Sequence, residues 1–346
     1  MRFPEFLKDK GTIGFAAPSF GCNIEPYRTA FSNSLEKWKA MGYRTLCGPN
    51  VYEGSGTGIS ASPQSCGKEL TDMYCSEESD VLISCGGGEL MCETLDHVDF
   101  DRVRKAAPKW YMGYSDNTNF TFLLTTLCDT ASVYGPCAPS FGMEPWHESI
   151  EDAYRVLRGE KLTLSGYPLF EVETLKDEEH PLAPYHVTQP RHIRALLPEG
   201  MEADAPVKMS GRLIGGCMDC LVNLLGTCYD SVPDFAGRYK EDGILWFLES
   251  CDLNVFAIRR AVWQMQHAGW FAHVKGFLIG RPLVHGQEMM GLDQYRAVTD
   301  LLAQYQVPVI MDLDIGHIPP MMPLICGSMA EAELDGQEFS LKMSVC

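Results

Sequence analysis

The sequence predicts an α/β protein of two domains, on three observations. Its 346 residues exceed the usual size of one domain. From residue 11 to about 166, short apolar strands alternate with helical patterns, the signature of βαβ units and a mainly parallel sheet. A mixed α/β pattern with antiparallel additions resumes at Lys208. The expected division is an N-terminal domain over 1–166, a linker and substrate-facing loop over 167–207, and a C-terminal domain over 208–346.

The elements follow in order. A strand over 12–17 ends at Pro18-Ser19, and a helix over 27–41 stops at Gly42. Gly54-Ser-Gly-Thr-Gly58 reads as a flexible loop with no ligand to assign. The apolar run 81–85 is a strand entering Gly86-Gly87-Gly88, with a helix from Glu89. Strand 110–113 breaks at Gly113, helix 118–128 follows, and strand 132–134 completes the half. Ligands of open α/β sheets gather at the carboxyl ends of strands, where Ser19, the triple glycine and Ser115 all fall.

Residues 170–205 change character, mixing the acidic run Lys176-Asp-Glu-Glu-His180 with Pro181, Pro184, Pro190 and Pro198. Beyond them come strand 208–214, helix 218–225, strand 244–249, an amphipathic helix over 254–266, strand 274–279, helix 292–305 and strand 307–313. Two last strands, 323–334 and 338–345, join through Asp335-Gly336 as a hairpin.

Composition narrows the function classes. A formal charge of −18 argues against nucleic-acid backbones and anionic membrane surfaces, which are held by clustered Lys and Arg. Small molecules are the expected partners. The apolar runs are too short to cross a bilayer, and charges occupy the N-terminus where a signal peptide needs its apolar core. A cytoplasmic location is therefore expected, with the fourteen scattered cysteines as reduced thiols, several in apolar segments such as Cys85, Cys128 and Cys326.

The stretch Lys109-Trp-Tyr-Met-Gly-Tyr-Ser-Asp-Asn-Thr118 carries the strongest chemical signal, because a strand-to-helix turn lifts a hydroxyl clear of the sheet. Asn117 stands where a full G-x-S-x-G elbow has its second glycine. Helix capping by Ser115 or Asp116 is the plainer alternative. A nucleophilic serine also needs a base and a group to orient that base. Among nine histidines, His97, His180, His186, His192, His267 and His273 lie in polar turns, in the linker or at a helix end. His317 instead follows a strand, in a loop stiffened by Gly316, Pro319 and Pro320. Glu249 closes the apolar strand Ile244-Leu-Trp-Phe-Leu-Glu249 and must be paired, either with Arg259 or Arg260 or as the orienting member of a triad. Cys217-Met-Asp-Cys220 has C-x-x-C spacing but no second pair to complete a zinc set, so two small residues on a packed helix are expected and no metal. Gly86-Gly87-Gly88 lacks the Lys-Ser/Thr of a P-loop.

Several blocks taken together resemble a known family: Ile13-Gly-Phe-Ala-Ala-Pro-Ser19, Ile83-Ser-Cys-Gly-Gly-Gly88, the Gly113-Tyr-Ser-Asp116 block, Gly211-Arg-Leu-Ile-Gly-Gly216, the strand ending at Glu249 and Asp314-Ile-Gly-His317. In order, and over most of the chain, they look like the LD-carboxypeptidase family of serine peptidases, which includes the microcin C immunity proteins. The resemblance implies a flavodoxin-like N-terminal domain, a smaller swivelling C-terminal domain and a homodimer. It also implies a Ser-Glu-His triad at Ser115, Glu249 and His317, an oxyanion hole at the N–H groups of Gly87 and Asp116, and no cofactor. Gly215-Gly-Cys-Met-Asp219 departs from the family's Gly-Gly-Asn and is closer to the immunity branch, and the 170–205 segment lacks the tryptophan-bearing substrate loop.

The expected activity is release of a terminal D-amino acid from murein peptides. The alternatives are cleavage of peptidyl or aminoacyl nucleotides, and a non-catalytic small-molecule binder on the same scaffold. A substrate carboxylate needs a cation, which the sequence leaves open among Arg191, Arg194, Arg259 and Arg260.

Overall fold

The computed structural model describes residues 1–197 and 201–345; Pro198, one of the linker prolines, lies outside them. The N-terminal half runs β1 (Thr12–Ala16), α1 (Tyr27–Ala40), β2 (Arg44–Cys47), α2 (Pro63–Cys75), β3 (Val81–Ser84), α3 (Met91–Thr94), α4 (Phe100–Lys105), β4 (Trp110–Gly113), α5 (Thr118–Thr126), β5 (Ser132–Tyr134) and α6 (Glu148–Leu157). Short strands β6 (Thr163–Ser165), β7 (Leu169–Glu171), β8 (Val187–Pro190) and β9 (Arg194–Leu196) follow. Then come β10 (Val207–Cys217), α7 (Met218–Leu224), α8 (Val232–Arg238), β11 (Ile244–Glu249), α9 (Val255–His267), β12 (Val274–Gly280), β13 (Glu288–Met289), β14 (Leu292–Asp293), α10 (Gln294–Leu302), β15 (Val309–Leu313), β16 (Leu324–Cys326), β17 (Met329–Asp335) and β18 (Glu338–Ser344).

The first sheet has the order β2-β1-β3-β4-β5-β16, and its first five strands are parallel. That is the flavodoxin-like order. Its inner strands β1, β3 and β4 are buried on both faces because helices cover both. Along β4, Trp110 and Met112 join one core while Tyr111 points into another, and β3 divides Val81 and Ile83 from Leu82 in the same way. The second sheet, β6-β18-β17-β10-β11-β12-β15-β9, keeps β10, β11, β12 and β15 parallel and adds antiparallel strands at both sides. Leu245 and Phe247 of β11 pack into the same core as Phe15 and Ile83, so one apolar layer runs between the two sheets.

Several elements differ from expectation. The run 323–334 is two strands, because the chain turns at Gly327 with φ +88°. Thus β16 pairs with β5 in the first sheet, while β17 pairs with β10 in the second. Likewise β6, inside residues 1–166, pairs with β18 in the second sheet. The segment after the triple glycine is not helical at Glu89, whose N–H bonds to Gly58 O; α3 begins at Met91. The expected helix over 292–305 starts at Gln294, capped by Asp293. The linker segment carries β7, β8 and β9, and β9 joins the second sheet beside β15.

Candidate active site

Strand β4 delivers Ser115 to the carboxyl end of the first sheet. Ser115 has φ +62°, an uncommon backbone conformation for a residue with a Cβ. Its surroundings enforce it. Asn117 Nδ2 donates to Gly86 O at 2.7 Å and to Tyr114 O at 3.1 Å, while its Oδ1 accepts from Tyr111 Oη. A side chain at Gly113 would collide with Asn117. The asparagine that looked like a departure from the elbow is therefore the group that ties the nucleophile turn to the glycine loop.

Ordinary capping does not describe this turn. The Asp116 carboxylate does not cap the helix that follows it; its Oδ2 accepts from Ser19 Oγ at 2.5 Å and from the N–H of Met91, the first residue of α3, at 2.9 Å, and its Oδ1 accepts from Asn119 at 3.0 Å. Burial pushes its pKa up against these donors. The Ser115 hydroxyl meets His317 instead, with Nε2 2.8 Å from Oγ. His317 Nδ1 lies 2.9 Å from Glu249 Oε2. Glu249 is 0 % exposed, and its other oxygen accepts from Tyr134 Oη at 2.5 Å. It makes no pair with Arg259 or Arg260: Arg259 pairs with Asp300 at 3.1 Å.

The acid and base come from the second sheet. Glu249 ends β11, and His317 follows β15 in a loop anchored by Asp314, which pairs with buried Arg281 and accepts from Tyr167 N–H at 2.7 Å. Gly316, at φ +105°, lies so close that a Cβ there would sit 2.4 Å from Glu249 Oε2. Burial alone would raise the pKa of Glu249, but His317, Tyr134 and Cys217 outweigh it and hold the carboxyl below its usual range. Burial likewise disfavours a charged His317, yet the Glu249 carboxylate and the neighbouring Cys251 lift its pKa well above the ordinary imidazole value.

These residues border a cavity of about 620 Å³. Gly87 forms part of its wall, and a Cβ at Gly87 would stand 3.0 Å from both Oγ and Cβ of Ser115. Only a glycine leaves that approach open. Cys217, which ends β10, and Cys220, in α7, are buried small residues that also border the cavity. Among the described residues, Cys217, Glu249 and His317 form the group with metal-ligating atoms within 4.8 Å of one another, but Glu249 and His317 are already engaged with each other.

Four signals were missed from sequence. Gly54 and Gly56, read as a ligand-free loop, border the cavity. Tyr134 was visible only as a strand residue. Arg191, Arg194, Arg259 and Arg260 are absent from the described cavity lining, whereas Lys176, hidden in an acidic run, is present. Arg191 pairs with Glu338 at 3.3 Å, and Arg194 pairs with Glu202 and stacks over Tyr295.

Comparison with known proteins bears on the family and the fold. Residues 13–135 match the model of the LD-carboxypeptidase N-terminal domain and residues 210–332 that of its C-terminal domain. The chain is 23% identical over 337 residues to the microcin C7 self-immunity protein MccF of Escherichia coli, covering 95% of this chain and 92% of that protein. It is 24% identical over 335 residues to a Bacillus subtilis (strain 168) protein named "Probable murein peptide carboxypeptidase", covering 94% and 90%. Among solved structures, an MccF-like protein from Bacillus anthracis superposes with a TM-score of 0.81 at 19% identity over 100% of both chains. MccF in complex with glutamyl sulfamoyl guanosine superposes at 0.79 and 18% identity, covering 99% and 98%. No helix among the described residues is long and apolar enough to cross a membrane.

Proposed function

The chain belongs to the LD-carboxypeptidase family, and on that premise we propose that it is a serine carboxypeptidase releasing a terminal D-amino acid from murein peptides. The observation that carries this reading is the unbroken hydrogen-bonded path Ser115 Oγ, His317, Glu249 beside the cavity. Ser115 Oγ attacks the scissile carbonyl carbon as its proton passes to His317 Nε2. The N–H groups of Gly87 and Asp116 receive the oxyanion; a donor of this kind is typically worth about 3 kcal/mol in the transition state. His317 then gives its proton to the leaving amine, and water hydrolyses the acyl-enzyme by the same relay in reverse. Glu249 holds the imidazole in the required tautomer and balances its charge. Cytoplasmic residence and a homodimer belong to this reading.

A second reading, cleavage of aminoacyl nucleotides, draws support from MccF, whose solved complexes contain glutamyl sulfamoyl guanosine and aspartyl sulfamoyl adenosine. Incubating the purified protein with murein tetrapeptide and with an aminoacyl sulfamoyl adenosine separates the two. Release of the D-amino acid supports the carboxypeptidase, and consumption of the nucleotide mimic alone reverses the ranking. Turnover of neither, with no fluorophosphonate labelling of Ser115 in the folded protein, supports a silent binder.

A further inference from the structure

Apart from the triad's His317, the charged side chains that border the cavity beside Ser115 are acidic but for one. Glu89, Asp116, Asp219 and Asp252 border it, in a chain of formal charge −18, and Lys176 is the one lysine or arginine among the described lining residues. Two of those acids are already engaged. Asp116 accepts from Ser19 and Met91, and Asp219 accepts the backbone N–H groups of Cys251 and Asp252 at 3.0 and 2.9 Å. Among the described residues the Lys176 ammonium has no ion pair and no hydrogen bond; it lies 5.8 Å from the centroid of the Tyr27 ring.

The ammonium is half-buried, and although the nearby Glu171 carboxylate favours its charge, burial outweighs that and pushes the Lys176 pKa down. Away from His317, an anion entering the cavity meets acids on the walls and finds its electrostatic complement at Lys176. Lys176 lies on the connection between β7 and β8, opposite Tyr27 at the start of α1. Phe20, Ile24 and Tyr27 are 43%, 59% and 50% exposed there, an apolar wall next to the cation.

We propose that Lys176 is the anion receptor of this cavity, holding an oxyacid terminus of the substrate, either a carboxylate or a phosphate. That the bound molecule is a substrate rests on the hydrolase reading; that Lys176 binds the anion does not.

Calorimetry on the full chain carrying Ser115→Ala tests this with two matched pairs of probes. One is the tetrapeptide L-Ala-γ-D-Glu-L-Lys-D-Ala as free acid and as C-terminal amide; the other is AMP and adenosine. In one pair the probe that carries the terminal anion is expected to bind at least about tenfold more tightly than the partner that lacks it. Adding Lys176→Met should erase that advantage while leaving the probe without the terminal anion within about twofold, and Lys176→Arg should retain most of it. Lys176→Gln serves as a second neutral variant, with circular dichroism verifying the fold. The pair that discriminates identifies carboxylate or phosphate. An advantage that survives Lys176→Met and Lys176→Gln, or no advantage in either pair, overturns the proposal. Native protein that hydrolyses neither substrate, with the Lys176-dependent preference intact, sinks the hydrolase reading alone.

Discussion

The hydroxyl of Tyr134 donates to Glu249 Oε1 at 2.5 Å and accepts the backbone N–H of Ser115 at 3.3 Å. One phenol at the end of β5 thus joins the carboxylate of the second sheet to the nucleophile turn of the first. Tyr134→Phe keeps the ring and removes both bonds. Losing a donor to a buried charged acceptor costs about 1–3 kcal/mol. The expected outcome is a loss in kcat/KM of about tenfold or more with the fold retained, read by steady-state kinetics beside a thermal melt.

Glu249→Gln leaves the shape of the site but removes the charge that lifts His317. By analogy with other triads, kcat should fall by about a thousandfold or more. Substrate affinity should change little, because Glu249 is buried behind the imidazole. An unchanged kcat would remove Glu249 from the mechanism.

The pH dependence has a definite sign. His317 must be neutral to accept the Ser115 proton, and its pKa is raised well above the ordinary 6.5. Activity should therefore rise with pH through a midpoint clearly above 6.5 in the kcat/KM profile, rather than at the value of a free imidazole. Stability runs the other way. A raised folded pKa contributes stability in full below the unfolded value of about 6.5 and loses it as pH rises through the raised value. Glu249→Gln should bring the His317 midpoint down, an effect measurable by NMR titration of the imidazole.

Gly316→Ala places a Cβ 2.4 Å from Glu249 Oε2 at φ +105°. Backbone strain of this kind costs about 1–3 kcal/mol before the clash is counted. Gly336→Ala is the control, since Gly336 also has positive φ, +59°, but nothing within 4 Å of the added methyl. Urea unfolding should show the first variant more destabilised, and only the first should lose activity.

Much of the site was legible because its parts announce themselves locally. Strand Trp110–Gly113 breaking into Ser115, a carboxylate closing an all-apolar strand, and a histidine in a glycine-proline loop each show in a few consecutive residues. What was not legible depends on the register between distant strands. Nothing near Tyr134 in sequence indicates that its hydroxyl reaches a carboxylate on another sheet. The 323–334 run reads as one strand because its apolar first half passes straight into an alternating second half, and only Gly327 divides them between two sheets. Lys176 was obscured for a different reason: a cation among acidic neighbours reads as a solvated surface, until the fold turns that one side chain to the cavity.

The central claim is that Ser115 is the nucleophile of a hydrolase, and turnover by Ser115→Ala tests it most directly. With folding matched by circular dichroism, native protein should release D-alanine from murein tetrapeptide, or consume the aminoacyl sulfamoyl adenosine. The variant should do neither above background. Release at the native rate by Ser115→Ala would contradict the account.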